Sequence, residues 1–215
     1  MTEEEWQNST NPQRMLDFLY GSDLGRKASL FFCACCRQLW FLLSDERSRA
    51  VVELVERVVD DIVEERELKR SWFPLVNAAV AAVSAHEERT PQESAASIAV
   101  WTTDSRFPSY GWDHFGLLGM DDTKLVSLVR EIAGNPFHPV AIDPDSKTHT
   151  VLSLAQLVYD NRVLPAGILE PERLTILADA LEDARCDNSD ILDHLRGPGP
   201  HVRGCWAVDS ILGKE

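Results

Sequence analysis

One apolar stretch, residues 28–43, dominates the hydrophobic pattern of the chain and reads ASLFFCACCRQLWFLL. At about 100° per residue on a helix, its polar residues Ser29 and Arg37 fall on one narrow stripe together with the flanking Arg26 and Ser44. The pattern predicts a buried helix with a single polar edge that is exposed to solvent. This helix would be the centre of the core.

Apolar residues that recur every three or four positions predict further helices. Val51, Val55, Val58 and Ile62 follow this spacing and indicate a long helix from about residue 44 to about residue 69. Residues 90–93, Thr-Pro-Gln-Glu, form a capping box with proline at the first helical position, which predicts a helix from residue 91 to about residue 101.

No pair of alternating segments is joined by a two-residue hairpin turn. The sequence therefore predicts an all-α protein, an irregular helical bundle with an aromatic-rich loop and a C-terminal helical subdomain.

A proline-rich segment divides the predicted helices into two groups. Residues 134–147 begin with Gly134, which ends a helical pattern, and then carry three prolines. We expect an N-terminal helical part at 1–133, a linker at 134–147 and a C-terminal helical part at 148–215, with one compact domain as the alternative. The last residues, 201–215, are predicted to form a terminal helix.

Composition limits the classes of partner. The net charge of -14 disfavours direct contact with nucleic acid, because non-specific binding to phosphates requires clustered cations. The acidic start MTEEEW is unlike a signal peptide, and the run at 28–43 is short for a membrane span and is broken by Arg37. Five cysteines, an odd number, then indicate reduced thiols in the cytoplasm, with no membrane partner.

Aromatic residues are concentrated in a segment without helical periodicity. Its candidate interaction residues are Phe107, Tyr110, Trp112, His114 and Phe115. Such a loop either covers the core or forms a binding surface. The binding hypothesis makes another protein the partner.

Cysteine and histidine form the one candidate metal centre. On helices, Cys33 and Cys36 are one turn apart, as are His201 and Cys205, and two such pairs would supply the four nitrogen or sulfur ligands of a tetrahedral zinc site. Cysteines in an apolar helix also serve as small core residues. A redox C-x-x-C would need a position at a helix N-terminus, and a Cys205 nucleophile would need His201 as base and Asp209 to orient it.

Two blocks of sequence carry a resemblance. RKASLFFCACCRQLWFLLSDERSRAVVELVER near the start and HLRGPGPHVRGCWAVDSILGKE at the end resemble a bacterial family of uncharacterised multi-copy hypothetical proteins that share the CACCR and HVRGCW blocks. The resemblance implies no activity. Residues 173–196 are also similar to repeat-companion domains with an ADWLEE-type motif, although Ala180 stands where that motif has tryptophan.

The functional expectation follows partly by elimination. The chain has no Walker-type loop, dinucleotide fingerprint or H-E-x-x-H motif, and no residue is assigned a catalytic role. We expect a non-enzymatic protein-interaction or adaptor module of the bacterial cytoplasm without a cofactor. The alternative is a small zinc-binding protein or metal-dependent hydrolase that uses the Cys33, Cys36, His201 and Cys205 cluster.

Overall fold

The computed structural model describes residues 1–19, 25–60, 90–102, 115 and 118–214. The chain divides into two compact units, Met1–Val126 and Ser127–Glu215. The all-α prediction is confirmed, because the described elements are helices and the only β-type pairs among these residues are isolated bridges. No helix in the described ranges is both long enough and apolar enough to cross a membrane.

The first unit contains five of the described α-helices and the start of a sixth. They are α1 (Glu3–Asn8), α2 (Pro12–Leu19), α3 (Gly25–Gln38), α4 (Glu46–Val58), α5 (Pro91–Trp101) and α6 (Asp122–Ala133), which continues into the second unit. Local capping explains where two of these helices begin. Thr90 and Glu93 form the predicted capping box, and Thr2 and Glu5 form another.

Helix α3 is the centre of the first unit and packs against α4 and α5. Its predicted polar edge is not solvated, because Ser29 and Arg37 are both buried. The Arg37 guanidinium instead donates to the buried Glu56 carboxylate, with a shortest distance of 2.7 Å. The expectation of a wet edge was therefore wrong, since a charged residue can enter a core when it is paired.

The second unit begins with the end of α6 and then contains four helices. They are α7 (His149–Asp160), α8 (Pro171–Asp183), α9 (Ser189–Arg196) and α10 (Trp206–Leu212), and a short 3-10 turn at Pro144–Ser146 precedes them. Leucine, isoleucine, valine and alanine from all four helices form one hydrophobic core. Tyr159 and Cys205 are part of that core and are fully buried.

The boundary between the units lies inside α6, earlier in the chain than the predicted linker at 134–147. The proline-rich segment is part of the second unit. Ile142 is a member of its hydrophobic core and Val140 packs against that core. Apolar side chains of the segment thus attach it to the neighbouring helices, which a free linker would not show.

Candidate metal centre

Four side chains of the second unit bring potential ligand atoms together. Glu131, His194, His201 and Cys205 each offer one oxygen, nitrogen or sulfur atom, and these four atoms all lie within 4.8 Å of one another. Among the described residues, this is the one group that could hold a metal ion.

Three separate segments supply these residues. Glu131 lies near the C-terminus of α6, and His194 lies in the last turn of α9. His201 and Cys205 belong to the connection between α9 and α10, where Cys205 is the residue just before α10. The backbone N–H of Val202 donates to Oε1 of Glu131 over 3.2 Å, which leaves Oε2 directed at the histidines.

The hydrogen bond of His201 with the backbone sets the tautomer of its ring. Nε2 lies 3.1 Å from the carbonyl oxygen of Gly197, and because a carbonyl only accepts, Nε2 carries the hydrogen. The neutral ring therefore has its lone pair on Nδ1. That atom lies 3.4 Å from Oε2 of Glu131 without hydrogen-bond alignment, and it has no hydrogen-bond partner among the described residues. Metal-binding histidines are oriented in this way by a bond from their other nitrogen.

His194 connects the carboxylate to the thiol. Its Nε2 lies 3.2 Å from Oε2 of Glu131 and 3.2 Å from Sγ of Cys205. One ring nitrogen faces both groups, so the arrangement differs from a catalytic triad, in which the two nitrogens of the histidine serve different partners.

The electrostatics of the cluster favour a cation. Burial alone would raise the pKa of Glu131, but its close contacts with His194 and His201 and the charges of those rings outweigh burial and lower it. Burial opposes protonation of His201, yet the Glu131 carboxylate outweighs it and raises the pKa of that ring. Burial and the negative charge of Glu131 raise the pKa of Cys205 well above its usual value, so the metal-free thiol is protonated at neutral pH.

Two glycines permit this close packing. Gly199 has φ +79°, and a Cβ there would lie only 2.7 Å from the backbone nitrogen of His201. Gly134 has φ +68° just after α6, and a Cβ there would lie 3.0 Å from Cγ of Trp206, whose ring centroid is 4.8 Å from that of His194. A side chain at Gly199 would clash with the backbone of His201, one at Gly134 would press on the Trp206 ring, and the positive φ would strain either substitution.

The distances between the ligand atoms suit a small tetrahedral ion. With metal–ligand bonds of about 2.0 to 2.3 Å, neighbouring ligands of a tetrahedral zinc ion are separated by about 3.3 to 3.6 Å. Three of the measured separations are 3.2, 3.2 and 3.4 Å. The other pairs of ligand atoms lie within 4.8 Å, so their separations would shorten by up to about 1.5 Å when a metal binds.

The structure brings together two of the four predicted metal ligands, His201 and Cys205. Cys33 and Cys36 are not members of the cluster; both are buried core residues of the first unit. Burial is the largest cause that raises the pKa of Cys36 well above its usual value, which suits a neutral core thiol. The predicted helix over residues 201–215 begins only at Trp206, so His201 and Cys205 approach each other through a turn.

The predicted interaction residues Phe107, Tyr110, Trp112 and His114 lie outside the described residues. Phe115 is described and is only 2% exposed. Its ring stacks on that of Phe32 with centroids 6.5 Å apart, so Phe115 is a core residue of the first unit. Phe115 therefore covers the core and is not part of an exposed binding surface.

Sequence reasoning missed two members of the cluster, Glu131 and His194. Glu131 is three residues from Leu128, so on a helix it lies at the edge of the apolar face, which is a weak sign of burial. His194 follows a leucine-rich helical pattern and precedes the run Gly-Pro-Gly-Pro. Neither position has ligand spacing relative to the other, and so no local motif marks them.

Comparisons of the chain with protein-family models, with curated proteins and with solved structures found no match. The resemblance to the CACCR and HVRGCW family therefore stays a prediction.

Proposed function

We propose that the second unit binds one zinc ion through Glu131, His194, His201 and Cys205, and that the ion has a structural role. The single observation that carries the proposal is the convergence of four buried or half-buried ligand atoms within 4.8 Å. Nitrogen and sulfur ligands favour zinc over magnesium or calcium, which take oxygen ligands.

Charge balance supports a divalent ion. The Glu131 carboxylate and a Cys205 thiolate carry two negative charges, and two neutral imidazoles add none, so a divalent cation makes the buried centre neutral. A coordinating metal deprotonates a thiol even when burial disfavours the thiolate. The proton of Cys205 would be released to solvent on binding. Neutrality matters because unpaired charge in a protein interior is costly.

The ligand count supports a structural centre over a hydrolase. Four protein ligands complete a tetrahedral zinc shell, whereas catalytic sites keep one position for water. The side chains of Glu131 and His201 are 3% and 2% exposed and that of His194 is 20% exposed. A cysteine nucleophile is also disfavoured, because Cys205 is fully buried and its pKa is raised.

The test is the metal content of the full chain, purified under reducing conditions without a polyhistidine tag. We expect about one zinc ion per chain by elemental analysis, and a thiolate-to-metal charge-transfer band after replacement of zinc with cobalt(II). Cys205→Ala should remove the band and most of the metal. The matched control is Cys186→Ala, because Cys186 is a buried thiol of the same core outside the cluster. Absence of bound metal after reconstitution with excess zinc would refute the proposal.

The expectation of a protein-interaction module stays a prediction. Four of its five candidate residues lie outside the described part of the chain, and the fifth, Phe115, is buried. No described contact favours a particular partner.

A further inference from the structure

The hydrophobic core of the second unit is built without α6, the helix that carries Glu131. Its buried members come from α7 to α10 and from short segments beside these helices. The closely packed helix pairs of the unit are α7 with α8, α8 with α9, α7 with α10 and α9 with α10. Leu128, Val129 and Ile132 of α6 are buried but are not members of this core.

The cluster is the place where α6 meets the connection between α9 and α10. Glu131 reaches His194, His201 and the backbone N–H of Val202, at 3.2, 3.4 and 3.2 Å. Residues 197–204 contain two glycines and two prolines before His201 and form no helix. The polar contacts around Glu131 thus link a helix outside the core to an irregular segment beside it.

We propose that the zinc ion acts as a removable clasp: it fastens the end of α6 and residues 197–204 to a core that folds without it. The inference rests on the proposed zinc site, and it makes the local opening of this region depend on the zinc concentration. Zinc fingers unfold without metal because they lack a sufficient core. Here the helices α7 to α10 have a core of their own, so removal of zinc makes a local region open more often and leaves the unit folded.

Two backbone amides report directly on the clasp. The Val202 amide donates to Oε1 of Glu131 over 3.2 Å, and the Leu169 amide donates to the carbonyl of His201 over 2.9 Å. The first links α6 to the connection, and the second links the connection to the segment before α8. Amides inside α7 and α8, such as those of Val158 and Leu177, report on the core.

The experiment is residue-resolved amide hydrogen exchange by NMR on the full chain, loaded with zinc and after chelation. Chelation should accelerate exchange at Val202 and Leu169 by at least about tenfold, the equivalent of one hydrogen bond, while Val158 and Leu177 change less than about twofold. At the same zinc concentration, Glu131→Ala should reproduce the effect of chelation at Leu169, whose amide donates to His201 and makes no bond to Glu131. His149→Ala, a histidine exposed at the start of α7, is the matched control and should resemble the unsubstituted chain.

The possible outcomes test the clasp and the zinc site separately. Loss of protection in α7 and α8 together with Val202 would overturn the clasp, because the metal would then be required for the whole fold. Unchanged exchange at Val202 in a chain that does bind and release zinc would also overturn it. A chain that binds no zinc at all would refute the proposed function, and the clasp would fall with it.

Discussion

Replacement of Glu131 with glutamine should separate metal binding from metal-free stability. The substitution keeps the side-chain shape and removes one charge. The glutamine oxygen can still accept from the Val202 N–H, and its amide can donate to Nδ1 of His201, whose other nitrogen bonds the Gly197 carbonyl. Without zinc we therefore expect a loss of no more than about 1 kcal/mol in the free energy of unfolding.

With zinc, the expected difference in the free energy of unfolding between the unsubstituted chain and Glu131→Gln is larger. A ligand present at 100 times its dissociation constant stabilises the native state by about 2.7 kcal/mol. If loss of the Glu131 carboxylate weakens binding by about 100-fold, the same zinc concentration equals the new dissociation constant and stabilises by only about 0.4 kcal/mol. The zinc-dependent gain should therefore fall by about 2.3 kcal/mol.

Urea unfolding with and without zinc measures both quantities. The extrapolated free energies of unfolding give the gain for the unsubstituted chain and for Glu131→Gln, and His149→Gln is the control because His149 is exposed and outside the cluster. Equal zinc-dependent gains for Glu131→Gln and the unsubstituted chain would refute the assignment of Glu131 as a ligand. A loss of several kcal/mol in the absence of zinc would show that the carboxylate is needed for folding itself.

Three further predictions concern charge and packing. The pKa of Glu131 is lowered from 4.5, so the charged carboxylate stabilises the fold above pH 4.5, and this stabilisation is lost as the pH falls through the lowered pKa. The pKa of His201 is raised from 6.5, so the charged ring stabilises the fold below pH 6.5, and this stabilisation is lost as the pH rises through the raised pKa. The difference in unfolding free energy between the metal-free unsubstituted chain and Glu131→Gln should therefore be largest between pH 4.5 and 6.5 in a series of urea titrations, and a flat profile would contradict this. Arg37→Met should destabilise the chain by about 3 to 5 kcal/mol because the Glu56 carboxylate would remain buried without the Arg37 guanidinium, and a second change, Glu56→Leu, should recover most of the loss. Phe115→Ala should cost about 3 to 5 kcal/mol in thermal or urea unfolding, whereas a change under about 1 kcal/mol would indicate an exposed residue.

Local sequence signals predicted much of the secondary structure. The Thr90 capping box and Pro91 marked the start of α5 correctly, and Pro12 and Pro171 stand at the starts of α2 and α8. The end of α3 was predicted too late. The apolar run continues to Leu43, but the helix ends at Gln38 and a series of turns follows, because hydrophobicity marks burial without specifying the backbone conformation.

The candidate site was predicted only in part for a different physical reason. His201 and Cys205 attracted attention because they are four residues apart, which is a local relation. Glu131 has no partner of that kind nearby, and its contact with Val202 joins residues separated by 71 positions. A pairing over that distance depends on how the helices pack, which no short motif encodes.

The sequence by itself determined the helical class, because hydrophobic spacing and capping act over a few residues and need no distant contact. It also supplied the chemical groups of the site. The tertiary structure alone decided which of those groups meet: the turn before α10 brings His201 and Cys205 to His194, and the end of α6 adds Glu131. Ligand atoms act on a shared ion only within a few ångströms, and that proximity arises from the packing of the whole unit.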